Sequence, residues 1–151
     1  MYLFVYGTLR PEAATPMARW LSRRTVENAP ASVSGRLIAI EDAGSWYPAL
    51  VRGTGPARCR GTVLRLKRRS DLAVIDRYEG REYRRILLRA HLDHGGTISV
   101  MAYLWRAAKP RRASVVAGGD FLAWLERTGH RAFGAPVTID HARRACHPAR
   151  P

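Results

Sequence analysis

The chain has 151 residues, 46% of them apolar and 25% charged, the proportions of one globular domain whose core needs no disulfide or metal to staple it. Two widely separated cysteines, Cys59 and Cys146, match neither a zinc spacing nor a secreted disulfide framework. No apolar run approaches the ~18 residues of a membrane span and no basic-then-apolar leader opens the chain, so the expectation is a cytoplasmic protein with no membrane association. A net charge of +14 raises nucleic acid as a partner, but the bases, 24 Arg and two Lys, are dispersed in separate segments such as Arg23-Arg24, Arg84-Arg85 and Arg143-Arg144. That dispersal reads as a solvated basic surface, with nucleic-acid binding as the minority reading.

In chain order, Tyr2 to Tyr6 is a short, apolar, aromatic and β-branched run closed by Gly7, a buried strand ending in a tight loop. Thr15-Pro16 supplies an N-cap and a first-turn proline for a short helix to about Arg24, with Met17, Trp20 and Leu21 at helical spacing. Val33 to Ile40 and Cys59 to Leu66 read as strands, each holding a glycine (Gly35, Gly61) where a bend or close backbone approach fits. Trp46 to Val51 reads as a shorter strand that tolerates Pro48 only at its start or on an edge. Ser70 is the expected cap of a two-turn helix from Asp71 to Glu79, stopped by Gly80, with Leu72, Ile75 and Tyr78 toward one face. Tyr83 to Leu92 and Thr97 to Trp105 form a hairpin across Asp93-His94-Gly95-Gly96. Asp120 caps a last helix carrying Phe121, Trp124 and Leu125 and ending at Gly129. Residues 1–129 thus read as a single domain and 130–151 as a basic, loosely packed tail. Six or seven strands that mostly follow one another without helical crossovers, with two or three short helices, argue an α+β fold with a mainly antiparallel sheet, open or closed into a barrel.

The chemistry has few carriers. There is no Walker loop, nucleophile elbow, HExxH or spaced Cys/His cluster, and His141, Cys146 and His147 in the tail read as adventitious, so neither metal nor organic cofactor is expected. Asp71, Asp76, Glu79 and Glu82 put four of the twelve acids within a dozen residues. Glu79 falls at a helix C-terminus, where the negative end of the macrodipole pushes a carboxyl pKa upward, as a general base near neutral pH requires. The loop Gly7-Thr8-Leu9 can present successive backbone N–H groups to an anion. Taken singly, an exposed glutamate and an ordinary turn are the commoner account of these features.

Together they do more. Tyr6-Gly7-Thr8-Leu9-Arg10 after strand one, then Asp76-Arg77-Tyr78-Glu79-Gly80 and Tyr83-Arg84-Arg85, with Tyr47-Pro48-Ala49-Leu50 and Met101-Ala102-Tyr103-Leu104-Trp105 between and beyond, resemble the gamma-glutamylcyclotransferase-like family over roughly residues 1 to 110. The resemblance implies a small mixed barrel flanked by short helices. It also implies a cofactor-free enzyme that cyclises a γ-glutamyl amide to 5-oxoproline and releases an amine or amino acid.

By the same resemblance Glu79 is the general acid/base, Glu82 does not match that position, and Tyr6, Gly7, Thr8 and Leu9 line the substrate pocket. Arg10, Tyr83 and Tyr103 are further substrate-binding candidates, each with an ordinary structural alternative, and Trp46 and Tyr47 are candidates for the rim. Of the alternating faces of the Met101–Trp105 strand, one is expected inward and one outward. The basic surface favours an anionic or neutral leaving portion over a polycationic one. The competing class is a non-catalytic module that keeps the pocket and uses its arginines for nucleic acid or another acidic partner.

Overall fold

A computed structural model describes residues 1–53, 55–108, 110 and 112–135. Five strands close a barrel: β1 (Tyr2–Val5), β2 (Thr25–Ser34), β5 (Arg58–Leu66), β6 (Tyr83–Leu92) and β7 (Thr97–Trp105), in the order β1-β5-β2-β6-β7. All neighbours are antiparallel except β1 and β7, whose parallel pairing at Leu3 and Met101 seals the barrel. A second sheet sets β3 (Arg36–Asp42) between β4 (Ser45–Val51) and β8 (Ala113–Val115). Three short helices flank them: α1 (Pro16–Ser22), α2 (Leu72–Glu79) and α3 (Phe121–Thr128).

The run Val33–Ile40 is not one strand. Gly35, at φ +143°, turns the chain out of the barrel, so Val33 ends β2 while Leu37 to Ile40 belong to the second sheet. Most of β2 gives no apolar signal, because its first residues, Val26 to Asn28, face solvent and are held by backbone pairing to β5 rather than by burial. The three-residue β8 is equally silent in sequence and pairs with β3. Pro48 is accommodated because β4 is an edge strand.

Phe4, Val33, Val63, Val100 and Ala102 fill the barrel interior. On the outer face of β1, Leu3 and Val5 pack with Leu21 of α1, Ile75 of α2 and Tyr103 of β7 in a second cluster. Helix cover changes the expected alternation of β7: Ala102 and Leu104 point into the barrel, yet Tyr103 on the opposite face is just as buried.

The helix ends follow local chemistry with one exception. Thr15 Oγ1 accepts from Ala18 N (3.1 Å) at the start of α1, and Asp120 Oδ1 accepts from Leu122 N and Ala123 N at the start of α3. Ser70 does not cap α2; it lies in a 3-10 turn, Arg69–Asp71, that leads into the helix without a side-chain cap. Of the expected tail, residues 136–151, including His141, Cys146 and His147, lie outside the described residues. Its first part runs along β4: Trp46 N donates to Arg131 O and Phe133 N to Trp46 O, both at 2.8 Å, and the His130 ring stacks on Trp46. No helix among the described residues is long and apolar enough to cross a membrane.

Candidate active site

A cavity of about 220 Å³ opens where β1 leaves the barrel, enclosed by the loop after β1, the ends of β3 and α2, the middle of β4 and the starts of β6 and the segment after α3. Tyr6, Gly7, Thr8 and Leu9 form one wall and Tyr47 and Pro48 another, with Tyr83 and Tyr103 between them. The wall of the β1 loop sits tight against β4, since a Cβ on Gly7 would collide with the Pro48 ring. The N–H groups of Gly7, Thr8 and Leu9 donate to no acceptor among the described residues, although all three residues are buried. The loop is fixed from behind: Arg10 N donates to Gly7 O (2.9 Å), and the buried Thr15 hydroxyl donates to Thr8 O (2.7 Å). Thr15 therefore ties the start of α1 to the loop, a bond that its reading as a helix cap does not foretell.

Glu79 is the last residue of α2 and lines this cavity, with no hydrogen-bond or ion-pair partner among the described side chains. Burial pushes its carboxyl up to about 8. The helix terminus accounts for its position; removal from water accounts for the shift. Three of the tyrosine hydroxyls around it are already committed. Tyr6 donates to Tyr103 O (2.6 Å), Tyr83 to Pro48 O (2.7 Å) and Tyr103 to Asp76 Oδ1 (2.7 Å). Burial, with the Glu79 charge adding to it, raises all three above the ordinary tyrosine value, so they stay neutral. Glu79 is the carboxyl of the lining whose shift brings its titration near neutral pH.

The acidic cluster of the sequence separates in space. Asp71 pairs with Arg24 at 3.5 Å, and Asp76 pairs with Arg85 at 3.4 Å while holding Tyr103, whereas Glu79 and Glu82 both line the cavity. Arg10 lines no part of it. Its guanidinium donates to Asp120 Oδ1 (3.0 Å), fastening the loop after β1 to the cap of α3. Of the two rim candidates Tyr47 lines the cavity, while Trp46 packs on Trp124 and His130. Asp42, Tyr78 and Phe133 complete the lining. Tyr78 carried a signal in the helix motif, but Asp42 and Phe133 had none, being brought in by the second sheet and by the chain beyond α3. Among the described residues the lining holds three carboxylates, Asp42, Glu79 and Glu82, and no arginine, lysine or histidine, the reverse of the charge expected from composition.

The sequence profile of the AIG2-like gamma-glutamyl cyclotransferases matches residues 3–124. The chain belongs to that family. No curated protein matches it. Among solved structures it is similar to a gamma-glutamyl cyclotransferase at 14% identity, with 93% of this chain and 94% of that one covered and a TM-score of 0.59. It is also similar to an AIG2-like protein of Mus musculus (16% identity, 74% and 80% covered, TM-score 0.57) and a protein of Arabidopsis thaliana (22%, 85% and 82%, TM-score 0.61). At these identities the shared property is the fold.

Proposed function

We propose that the protein is a cofactor-free cyclotransferase that converts a γ-glutamyl amide to 5-oxoproline with release of an amine, Glu79 acting as general acid/base. The observation that carries this reading is an unpaired Glu79 carboxyl, titrating at about 8, in the same cavity as the unengaged N–H groups of Gly7–Leu9. The α-amino nitrogen of the substrate attacks its own γ-carbonyl carbon, so nucleophile and electrophile are tethered and the protein need only hold the chain folded for ring closure. The Glu79 carboxylate takes a proton from that nitrogen. The same proton then passes to the amide nitrogen as the C–N bond breaks, leaving 5-oxoproline and a free amine. The loop N–H groups suit the substrate α-carboxylate or the oxyanion of the tetrahedral intermediate, and their enclosure strengthens either contact.

The test is 5-oxoproline release from a panel of γ-glutamyl amino acids and amines by wild type and by Glu79→Gln. Turnover by wild type that the folded variant loses upholds the reading. An inactive wild type across the panel overturns it, and an active Glu79→Gln overturns the role of Glu79.

A further inference from the structure

At the end of the barrel opposite the cavity the starts of β1 and β2 meet the end of β5: Tyr2 pairs with Arg65, and Thr25 with Leu66. Two basic runs flank that corner. Arg23 and Arg24 follow α1, while Lys67, Arg68 and Arg69 follow β5. They are distant in sequence and adjacent in space. Lys67 N donates to Arg24 O and the Lys67 ammonium to Arg23 O, both at 2.8 Å, the second across 44 positions of chain.

Little neutralises these bases. On β5 itself, Arg60 and Arg65 each face a carboxylate of their own, Asp93 at 3.0 Å and Glu27 at 3.1 Å. At the corner five bases share one acid, Asp71, which pairs with Arg24 at 3.5 Å and whose side chain is only 14% exposed. Arg23, Lys67, Arg68 and Arg69 are exposed and stand in no ion pair among the described residues. Backbone pairing that holds like charges together opposes folding, and a polyanion laid across them relieves the repulsion.

The corner also carries an aromatic platform. The Arg24 guanidinium lies over the Trp20 ring at 4.0 Å, and both side chains are half-buried. A flat cation on an aromatic ring is a surface on which an unpaired base stacks, while the surrounding guanidinium and ammonium groups take phosphates. An acidic peptide or an anionic lipid headgroup has the charge without the base.

We propose that this corner, formed by Trp20, Arg23, Arg24, Lys67, Arg68 and Arg69, is a docking surface for single-stranded nucleic acid, held through about three to five phosphates. It shares no residue with the cavity lining and stands whether or not the cavity is a cyclotransferase site. The contact reads no sequence, since phosphates are uniform and every base has a stacking face.

Fluorescence anisotropy of a labelled oligouridylate of about 20 nucleotides tests this. Wild type is expected to bind with a Kd of about 10 μM or tighter at about 50 mM salt, with log K falling against log salt at a slope of about −2 to −3.5. The triple variant Arg23→Gln, Arg68→Gln, Arg69→Gln weakens binding more than about tenfold and flattens the slope by about 2. A control triple with the same loss of charge elsewhere, Arg36→Gln, Arg84→Gln, Arg89→Gln, weakens it by less than about threefold. All six positions are exposed, and thermal melts check that both triples fold. No binding by wild type overturns the inference, as do equal losses in the two triples, which assign the affinity to net charge alone. Polyglutamate of similar length and phosphatidylserine vesicles are titrated alongside. Weaker binding of both than of the oligonucleotide upholds the inference; binding as tight to either overturns it in favour of an acidic protein or a membrane.

Discussion

The barrel exterior and the cavity at its end carry opposite charge. Outside, arginines such as Arg60, Arg65, Arg84 and Arg89 stand exposed on β5 and β6; the cavity is lined by three carboxylates and, among the described residues, by no basic side chain. The two regions are built differently. Exterior charges are solvated and interchangeable, each exposed pair contributing between 0 and about 1 kcal/mol, whereas of the three cavity carboxylates Asp42 and Glu82 are exposed and Glu79 alone is partly buried. A net charge of +14 therefore describes the far field of the molecule and says little about what its cavity accepts.

The sharpest way to break this contrast is at Glu79. Glu79→Gln lowers 5-oxoproline release by about 10²–10⁴-fold, the usual worth of a positioned acid/base, measured under saturating substrate. Wild-type kcat/KM rises with pH toward about 8 as the carboxylate forms. Stability runs the other way. A carboxyl raised in the folded state binds its proton more tightly there than in the unfolded chain, so its contribution is complete below about 4.5 and is lost as pH climbs through about 8. Glu79→Gln removes that loss. Its melting temperature relative to wild type climbs across this window and levels off above it, in thermal scans at several pH values.

Next in size is the wall itself. Gly7→Ala forces a Cβ against Pro48, shifts the loop and reduces turnover by about 100-fold, with a stability cost of about 1–3 kcal/mol by denaturant titration. Thr15→Val removes both a helix cap and the hydrogen bond to Thr8 O, costing about 1–3 kcal/mol and raising KM more than it lowers kcat. The smallest effects lie outside. Arg60→Gln breaks an exposed pair with Asp93, and together with Arg89→Gln changes stability by less than about 0.5 kcal/mol per site and turnover by less than about twofold. A large loss of turnover there would show that the exterior field reaches the cavity after all.

Local chemistry made much of this protein legible. The closing of β1 by Gly7, the cap of α3 by Asp120 and the hairpin glycines depend on a few adjacent residues, and sequence alone is enough to find them. Periodicity found α2 and β7, but it read β2 and β3 as one strand, because both sides of Gly35 are apolar and only the positive φ reveals the turn between sheets. Strand β2 hid for another reason: a barrel strand with one edge of solvated residues has nothing in its composition to announce it.

The candidate site divides along the same line. Glu79 and the Gly7–Leu9 loop could be named in advance because each is a local motif, a helix end and a strand end, and because their order resembles a known family. Arg10 lies beside the loop in sequence yet points to Asp120, 110 positions away, since an arginine side chain is long enough to seek whichever carboxylate the fold brings near. Asp42 and Phe133 reach the cavity only because β3 ends beside it and the chain after α3 returns along β4. Sequence by itself singled out Glu79 at a helix end and the Gly7–Leu9 loop at a strand end as candidates, as their positions depend on backbone conformation over a few residues, while the shift of Glu79 came from tertiary burial. Tertiary structure alone decided the sign of the field at the cavity, because that depends on which distant side chains converge and which of them arginines have already neutralised.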